Sequence, residues 1–243
     1  MKKLIILFAM VGVCSLIGAN LYSSMVSNEA NAATETEAAA ETTTPAFDIE
    51  ALRALVNSKT ITPSVPAGAV DVSPIIYGDS TAPVIIEEFA SFTCSHCASF
   101  HRNVLPKLKA ALIDTGVAQL HVYSFVRNAP DLESTMLIQC QKGNNARKKF
   151  SGAIMRGQEQ WASSVNYSDG LKTIAKVGGM TETDYDTCVA DETLQEKVIA
   201  SRQWFDKQVG VDSTPYFRIG TEIVKGGQDI NSFVDAIKAA VAK

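Results

Sequence analysis

The chain has 243 residues, 46% hydrophobic and 20% charged, with a formal net charge of -4. That length suits one domain with an insertion or two small domains, and the apolar fraction suffices for a sizeable core. With neither a basic stripe nor a run of Lys and Arg, the charge pattern gives no electrostatic footing for nucleic acid.

Lys2 and Lys3 precede an apolar run from Leu4 to about Leu21, and a small-x-small site follows at Ala30-Asn31-Ala32. This pattern over residues 1–32 predicts a secretory signal. An uncleaved membrane anchor is the alternative, because the stretch ahead of the site is long. Either way the rest of the chain is expected to be exported, free or tethered to the membrane. Cys14 follows Val13, not a small residue, and does not read as lipidated. Residues 33–44 are only Ala, Glu and Thr and read as a disordered linker. Over 45–70, Pro45 opens a helix with Ile49, Leu52, Leu55 and Val56 on one stripe, and Pro63 and Pro66 end it. So short a helix reads as a packing element rather than an oligomerisation stalk.

Pro74-Ile75-Ile76-Tyr77 predicts an edge strand, where a proline is tolerated, and Gly78-Asp79 a turn. The β-branched run over 83–89 predicts a buried central strand that ends just before Cys94. A helix follows, with Phe100, Val104, Leu108 and Leu112 on one face and Pro106 kinking it. Residues 117–125 alternate as another strand, completing a βαβ unit. The middle of the chain reads as helical, with Leu194, Val198, Phe205 and Val209 on one face and Trp161 and Trp204 serving that sub-core. Residues 216–219 and 222–224 predict a hairpin across Gly220-Thr221, and a last helix follows Asp229.

Within this frame Cys94-Ser95-His96-Cys97 lies where a strand meets a helix. Disulfide exchange needs a thiolate, and the free N–H groups and positive end of a helix stabilise one. Cys94, at the helix start, is the expected nucleophile. Cys97, one turn on and better protected, is the expected resolving thiol. His96, protonated or donating, would further favour the Cys94 thiolate and so make the disulfide a stronger oxidant. A zinc site would need four ligands; beyond the pair only His101 is at hand. Outside 1–32 the cysteines number four (94, 97, 140 and 188), which allows three pairings.

The segment from Glu88 to Phe100, EFASFTCSHCASF, resembles the active-site segment of DsbA-like periplasmic thiol–disulfide oxidoreductases. Gly210-Val211-Asp212-Ser213-Thr214-Pro215-Tyr216-Phe217 is similar to that family's cis-proline loop. The resemblance implies an α/β thioredoxin-like fold with an inserted helical domain: a first part over 71–130, the insert over 131–208 and a second part over 209–243. It implies a cis Thr214-Pro215 bond beside the cysteines, with the Thr214 backbone turned toward an extended substrate. It makes Glu88 a buried acid beneath the pair that shuttles the Cys97 proton, while Glu87, on the other face of the strand, is expected toward solvent. By exclusion Cys140 and Cys188 would form a structural disulfide. The implied partners are reduced exported proteins and a DsbB-like membrane protein; no cofactor or metal is implied. Ser95 stands where the family's best-known dipeptide has proline, which leaves the direction of electron flow open. An isomerase or reductant of the same fold is the alternative, and a soft-metal, copper-handling protein is the alternative of another class.

Overall fold

The computed structural model describes residues 47–59, 61–226 and 229–243. The expected signal or anchor (1–32), the linker (33–44) and Pro45 lie outside the described residues. Among the described residues no helix is long and apolar enough to cross a membrane.

Five strands form one sheet: β1 (Ile75–Tyr77), β2 (Val84–Ala90), β3 (Ala118–Ser124), β4 (Tyr216–Ile219) and β5 (Glu222–Lys225). Their order is β1-β3-β2-β4-β5, with β2 and β3 parallel and the other neighbours antiparallel. The β-branched run thus becomes the central strand, buried on both faces as its composition requires. Pro74 sits just before edge strand β1, where its missing N–H costs no ladder bond. Gly78, at φ 99°, ends β1; a Cβ there would come within 2.8 Å of Ile113 and 3.1 Å of the Ala118 carbonyl, so the turn takes no larger residue without rearrangement.

Ten α-helical segments accompany the sheet among the described residues. The first is α1 (Ile49–Val56), capped by the Asp48 carboxylate. Its Leu52 and Val56 are buried in the main core and Leu55 is exposed, so it packs as the short-helix reading expects. The helix after the cysteines is interrupted: α2 (Ser95–Ser99), a π-helical turn (Phe100–Val104), α3 (Leu105–Leu108) and a second π turn (Lys109–Ile113). Pro106 is the cause of the first interruption. It offers no N–H to the preceding turn, and the ladder moves to longer spacing, with the Leu105 N–H reaching the Phe100 carbonyl. The expected stripe survives: Phe100, Val104, Leu108 and Leu112 are all buried.

Between β3 and β4 lie α4 (Ala129–Gln139), α5 (Asn144–Arg156), α6 (Gln158–Trp161), α7 (Tyr167–Val177), α8 (Glu182–Val189) and α9 (Glu192–Trp204). A π turn (Phe205–Val209) carries α9 back to the sheet, and Gly210 ends it in the left-handed conformation. The final α10 (Ile230–Ala242) starts at Asp229, as expected.

Two apolar clusters flank the sheet. The larger holds Ile86, Ala90, Cys97, Phe100, Phe217, Phe233 and the apolar faces of the inserted helices. Phe217 binds it together, with ring centroids 4.8 Å from Phe100 and 4.9 Å from Phe233. The smaller covers the opposite face with Phe89, Tyr123, Phe205, Val209 and Tyr216, and Trp204 packs at its edge. This corrects one expectation. Only Leu194 and Val198 of the predicted stripe serve the helical sub-core; Phe205, Val209 and Trp204 cover the sheet, because the π turn carries the helix past the insert.

The same cluster explains a second correction. Glu87 is not solvent-facing but fully buried, accepting hydrogen bonds from the Ser64 N–H (2.7 Å), the Ser64 hydroxyl (2.6 Å) and the Val65 N–H (2.8 Å). Alternation puts Glu87 on the face opposite Glu88 as read, but that face is roofed by the segment before β1, whose amides take the place of water.

Candidate active site

Strand β2 ends at Ala90, and Cys94 takes an extended conformation (φ -84°, ψ 118°) as the N-cap of α2. Its carbonyl accepts the Ala98 N–H at 3.1 Å, and its sulfur sits at the N-terminal end of the helix. Cys94 is 5% exposed and Cys97 not at all; both are free thiols. The Thr214-Pro215 bond is cis, and the Thr214 carbonyl lies 3.3 Å from Cys94 Sγ.

The two sulfurs are strongly unequal. The Cys94 thiol is pulled down to about 4, chiefly by the Cys97 thiol donating to it. Burial opposes this, and the Thr214 hydroxyl and the Cys97 and His96 backbone N–H groups assist. The Thr214 hydroxyl accepts from Arg127 Nη1 at 3.3 Å, which leaves its own hydrogen to give to the thiolate. Cys97 is driven upward by burial, by holding its proton toward Cys94, and by the charges of Glu88 and Cys94. One sulfur is thus a stable thiolate and the other stays protonated. His96 enters differently from the sequence expectation: its backbone N–H serves the thiolate, while its side chain is exposed and makes no hydrogen bond among the described residues.

Glu88 is fully buried on the β2 face that shares the main core with Cys97. Its Oε1 lies 3.0 Å from His101 Nε2, and its Oε2 has no hydrogen-bond partner. Among the described residues no group of three or more His, Cys, Asp or Glu is placed to hold a metal.

Cys140 and Cys188 are joined, with sulfurs 2.08 Å apart. The bridge ties the C-terminal end of α4 to α8.

A thioredoxin family model matches residues 71–239. The chain belongs to the thioredoxin family. Within it the chain is DsbA-like: it is similar to the crystal structure of Wolbachia pipientis α-DsbA1, with a TM-score of 0.61 and 25% identity over 70% of this chain and 91% of that one. It is similar also to a protein-disulfide isomerase structure from Novosphingobium aromaticivorans (TM-score 0.58, 25% identity, 71% and 99% covered). A Rickettsia bellii protein provisionally named a protein-disulfide oxidoreductase is 29% identical over 174 residues. That match covers 72% of this chain and 65% of the relative, just under two thirds of its length. The inserted helices of this DsbA-like thioredoxin fold are α4 to α9.

Two residues that hold this DsbA-like site escape a reading of the sequence. Asp131, buried in the first turn of α4, accepts from the Ser91 hydroxyl (2.8 Å), the Thr93 N–H (2.7 Å) and the Arg127 N–H (3.1 Å), and burial raises its carboxyl. It fastens the turn between β2 and Cys94 to the insert. The signal was there: Asn128 caps α4 and a proline follows, which marks a helix start where an acid at the third position is favoured. Gln158, buried at the start of α6, donates through Nε2 to the carbonyls of Phe92 (2.8 Å) and Cys94 (2.9 Å). Nothing local distinguishes it from any helical glutamine. Gln158→Ala strands the buried Phe92 carbonyl, leaves the Cys94 carbonyl only the Ala98 N–H, and is expected to cost about 2 kcal/mol in urea unfolding. A change below about 0.5 kcal/mol, the range of neutral surface substitutions, would show that water replaces the amide.

Proposed function

We propose that this chain is an exported thiol–disulfide oxidoreductase working in the periplasm as an oxidase. It would pass its Cys94–Cys97 disulfide to reduced exported proteins and be reoxidised by a DsbB-like membrane partner. The carrying observation is the Cys94 thiolate, held at about 4 by Cys97, Thr214 and the helix N–H groups. Stabilising that thiolate stabilises the reduced pair, and a stable reduced pair makes the disulfide oxidising. A substrate thiolate attacks Cys94 Sγ, the disulfide breaks, and Cys97 leaves and takes up a proton. A second substrate thiolate then attacks the substrate sulfur of the mixed disulfide, and Cys94 leaves as the thiolate the site is built to hold. The backbone at Thr214, beside Cys94, suits an extended segment pairing as an added strand.

Export is supported by the N-terminal pattern of residues 1–32 and by the Cys140–Cys188 disulfide, a bond that persists in oxidising compartments. The isomerase reading draws on the likeness to the Novosphingobium protein. Against a paired, cleft-forming isomerase, α1 packs Leu52 and Val56 into its own core instead of projecting as a stalk.

Equilibration with a glutathione redox buffer, read by alkylation and mass, tests the proposal. A pair more oxidising than glutathione is the expected result. A potential near that of thioredoxin would overturn it in favour of a reductant or isomerase.

A further inference from the structure

The exchange steps leave one requirement unmet by the cysteines. Cys97 must gain a proton when the disulfide opens, yet it is fully buried and has no exposed surface through which water could supply one. Glu88 is equally buried, near enough for its charge to raise the Cys97 thiol, and it holds one carboxylate oxygen with no partner. An unpaired buried oxygen of this kind is costly and calls for an explanation. Its other oxygen meets His101 at 3.0 Å. The His101 side chain keeps 10% of its surface exposed while Glu88 keeps none, so within this pair only the imidazole touches water.

We propose that His101 is the proton inlet of the site, passing a proton from solvent to Glu88 and through Glu88 to Cys97. The inference rests on the redox reading of Cys94 and Cys97. As the substrate thiolate bonds to Cys94 Sγ, the disulfide's electron pair leaves on Cys97 Sγ. The Glu88 carboxylate takes the proton of the His101 imidazolium and hands it to Cys97, and the imidazole recovers one from water. One proton enters for each disulfide opened, and the reverse path empties the site when the pair is reoxidised. His101 acts through Glu88 and is in that sense a positioning residue.

The surroundings isolate this pair. The residues paired with Glu88 on β3 and β4, Val122 and Phe217, are apolar. From β1, Tyr77 faces it, its phenol pushed up to about 12 by burial and by Glu88. The cations near Tyr77 come from α5: Lys148, 5.7 Å from the ring centroid, and Arg156. In the disulfide form neither Cys94 nor Cys97 titrates. The part of any pH dependence of disulfide opening that replacing His101 removes therefore belongs to the relay, while the part due to exposed His96 in the motif stays.

The test is the rate at which a small thiol opens the Cys94–Cys97 disulfide, measured at fixed thiolate concentration across pH and stopped by acid quench. H101Q retains an amide that can donate to Glu88 but has no proton it can give up; H101N is the second variant if H101Q does not fold. Expected are a slowing of about 100-fold, the low end for a positioned proton donor, and loss of the inflection seen in the wild type. E88Q should match it, and E88Q/H101Q should be no slower than either single variant, as for two members of one path. A variant profile parallel to the wild type, or effects that multiply in the double variant, overturns the relay while leaving the redox reading intact. Failure of the wild-type protein to exchange at all overturns both.

Discussion

Cys94→Ser will reduce disulfide exchange to background, whereas Cys97→Ala will still attack and then stall as a trapped mixed disulfide. The asymmetry follows from the two sulfurs. Cys94 is ionised above about pH 4, while Cys97 is buried and keeps its proton, so it cannot substitute as the attacking group. Ultraviolet thiolate absorbance of the reduced protein should disappear with a midpoint near pH 4. In Cys97→Ala that midpoint should rise, because the largest stabiliser of the Cys94 thiolate is gone. A thiol whose folded value lies below the unfolded one, about 8.5, stabilises the reduced fold fully above that pH and loses the contribution as pH falls toward 4. The disulfide form has no such titration. The stability advantage of the reduced over the oxidised protein should therefore shrink steadily from about pH 8.5 to 4. An advantage independent of pH in this window would sink the thiolate assignment.

Removing the second bridge should produce the largest loss of stability. Cys140 and Cys188 are separated by 48 residues, and closing a loop of that length removes denatured-state entropy worth about 4 kcal/mol. For a domain of this size Cys140→Ala/Cys188→Ala should melt about 8–16 °C lower. The effect should also reach the redox pair. Helix α4 carries Asp131 at one end and Cys140 at the other, so freeing its C-terminal end loosens the carboxylate that holds the Thr93 N–H beside Cys94. Calorimetry on the oxidised protein measures the first effect and the alkylation rate of Cys94 the second. An unchanged melting temperature would mean that the two helices are held by packing alone.

How much of this was legible in the sequence depended on how local each feature is. The β2 run and the four-residue cysteine motif are written in consecutive residues and appear where expected, and Pro106 shows itself as a switch to π-helical spacing. The cis Thr214-Pro215 loop came from resemblance, because no local rule brings residue 214 to residue 94. Glu87 was misplaced because alternation names a face without saying what covers it; Ser64 and Val65 do so from a segment with no strong pattern of its own. Trp204, Phe205 and Val209 were given to the wrong cluster because helical periodicity is blind to where a π turn delivers the chain. His101 was visible only as a spare ligand, since its partner Glu88 is 13 residues away on another element. Gln158 had no signal at all.

The contact between Cys94 and Thr214 closes a separation of 120 residues. A chain is made from its N-terminus, so Cys94 exists well before the loop that completes its surroundings. Until residue 214 and β4 are made, the hydroxyl of Thr214 cannot steady the sulfur, and β2, from which the helix start projects, lacks its neighbour on that side. The full reactivity of the thiolate is thus a property of the finished protein. A nascent chain would carry at that position a sulfur closer to an ordinary thiol, less prone to exchange with its neighbours than the one it becomes.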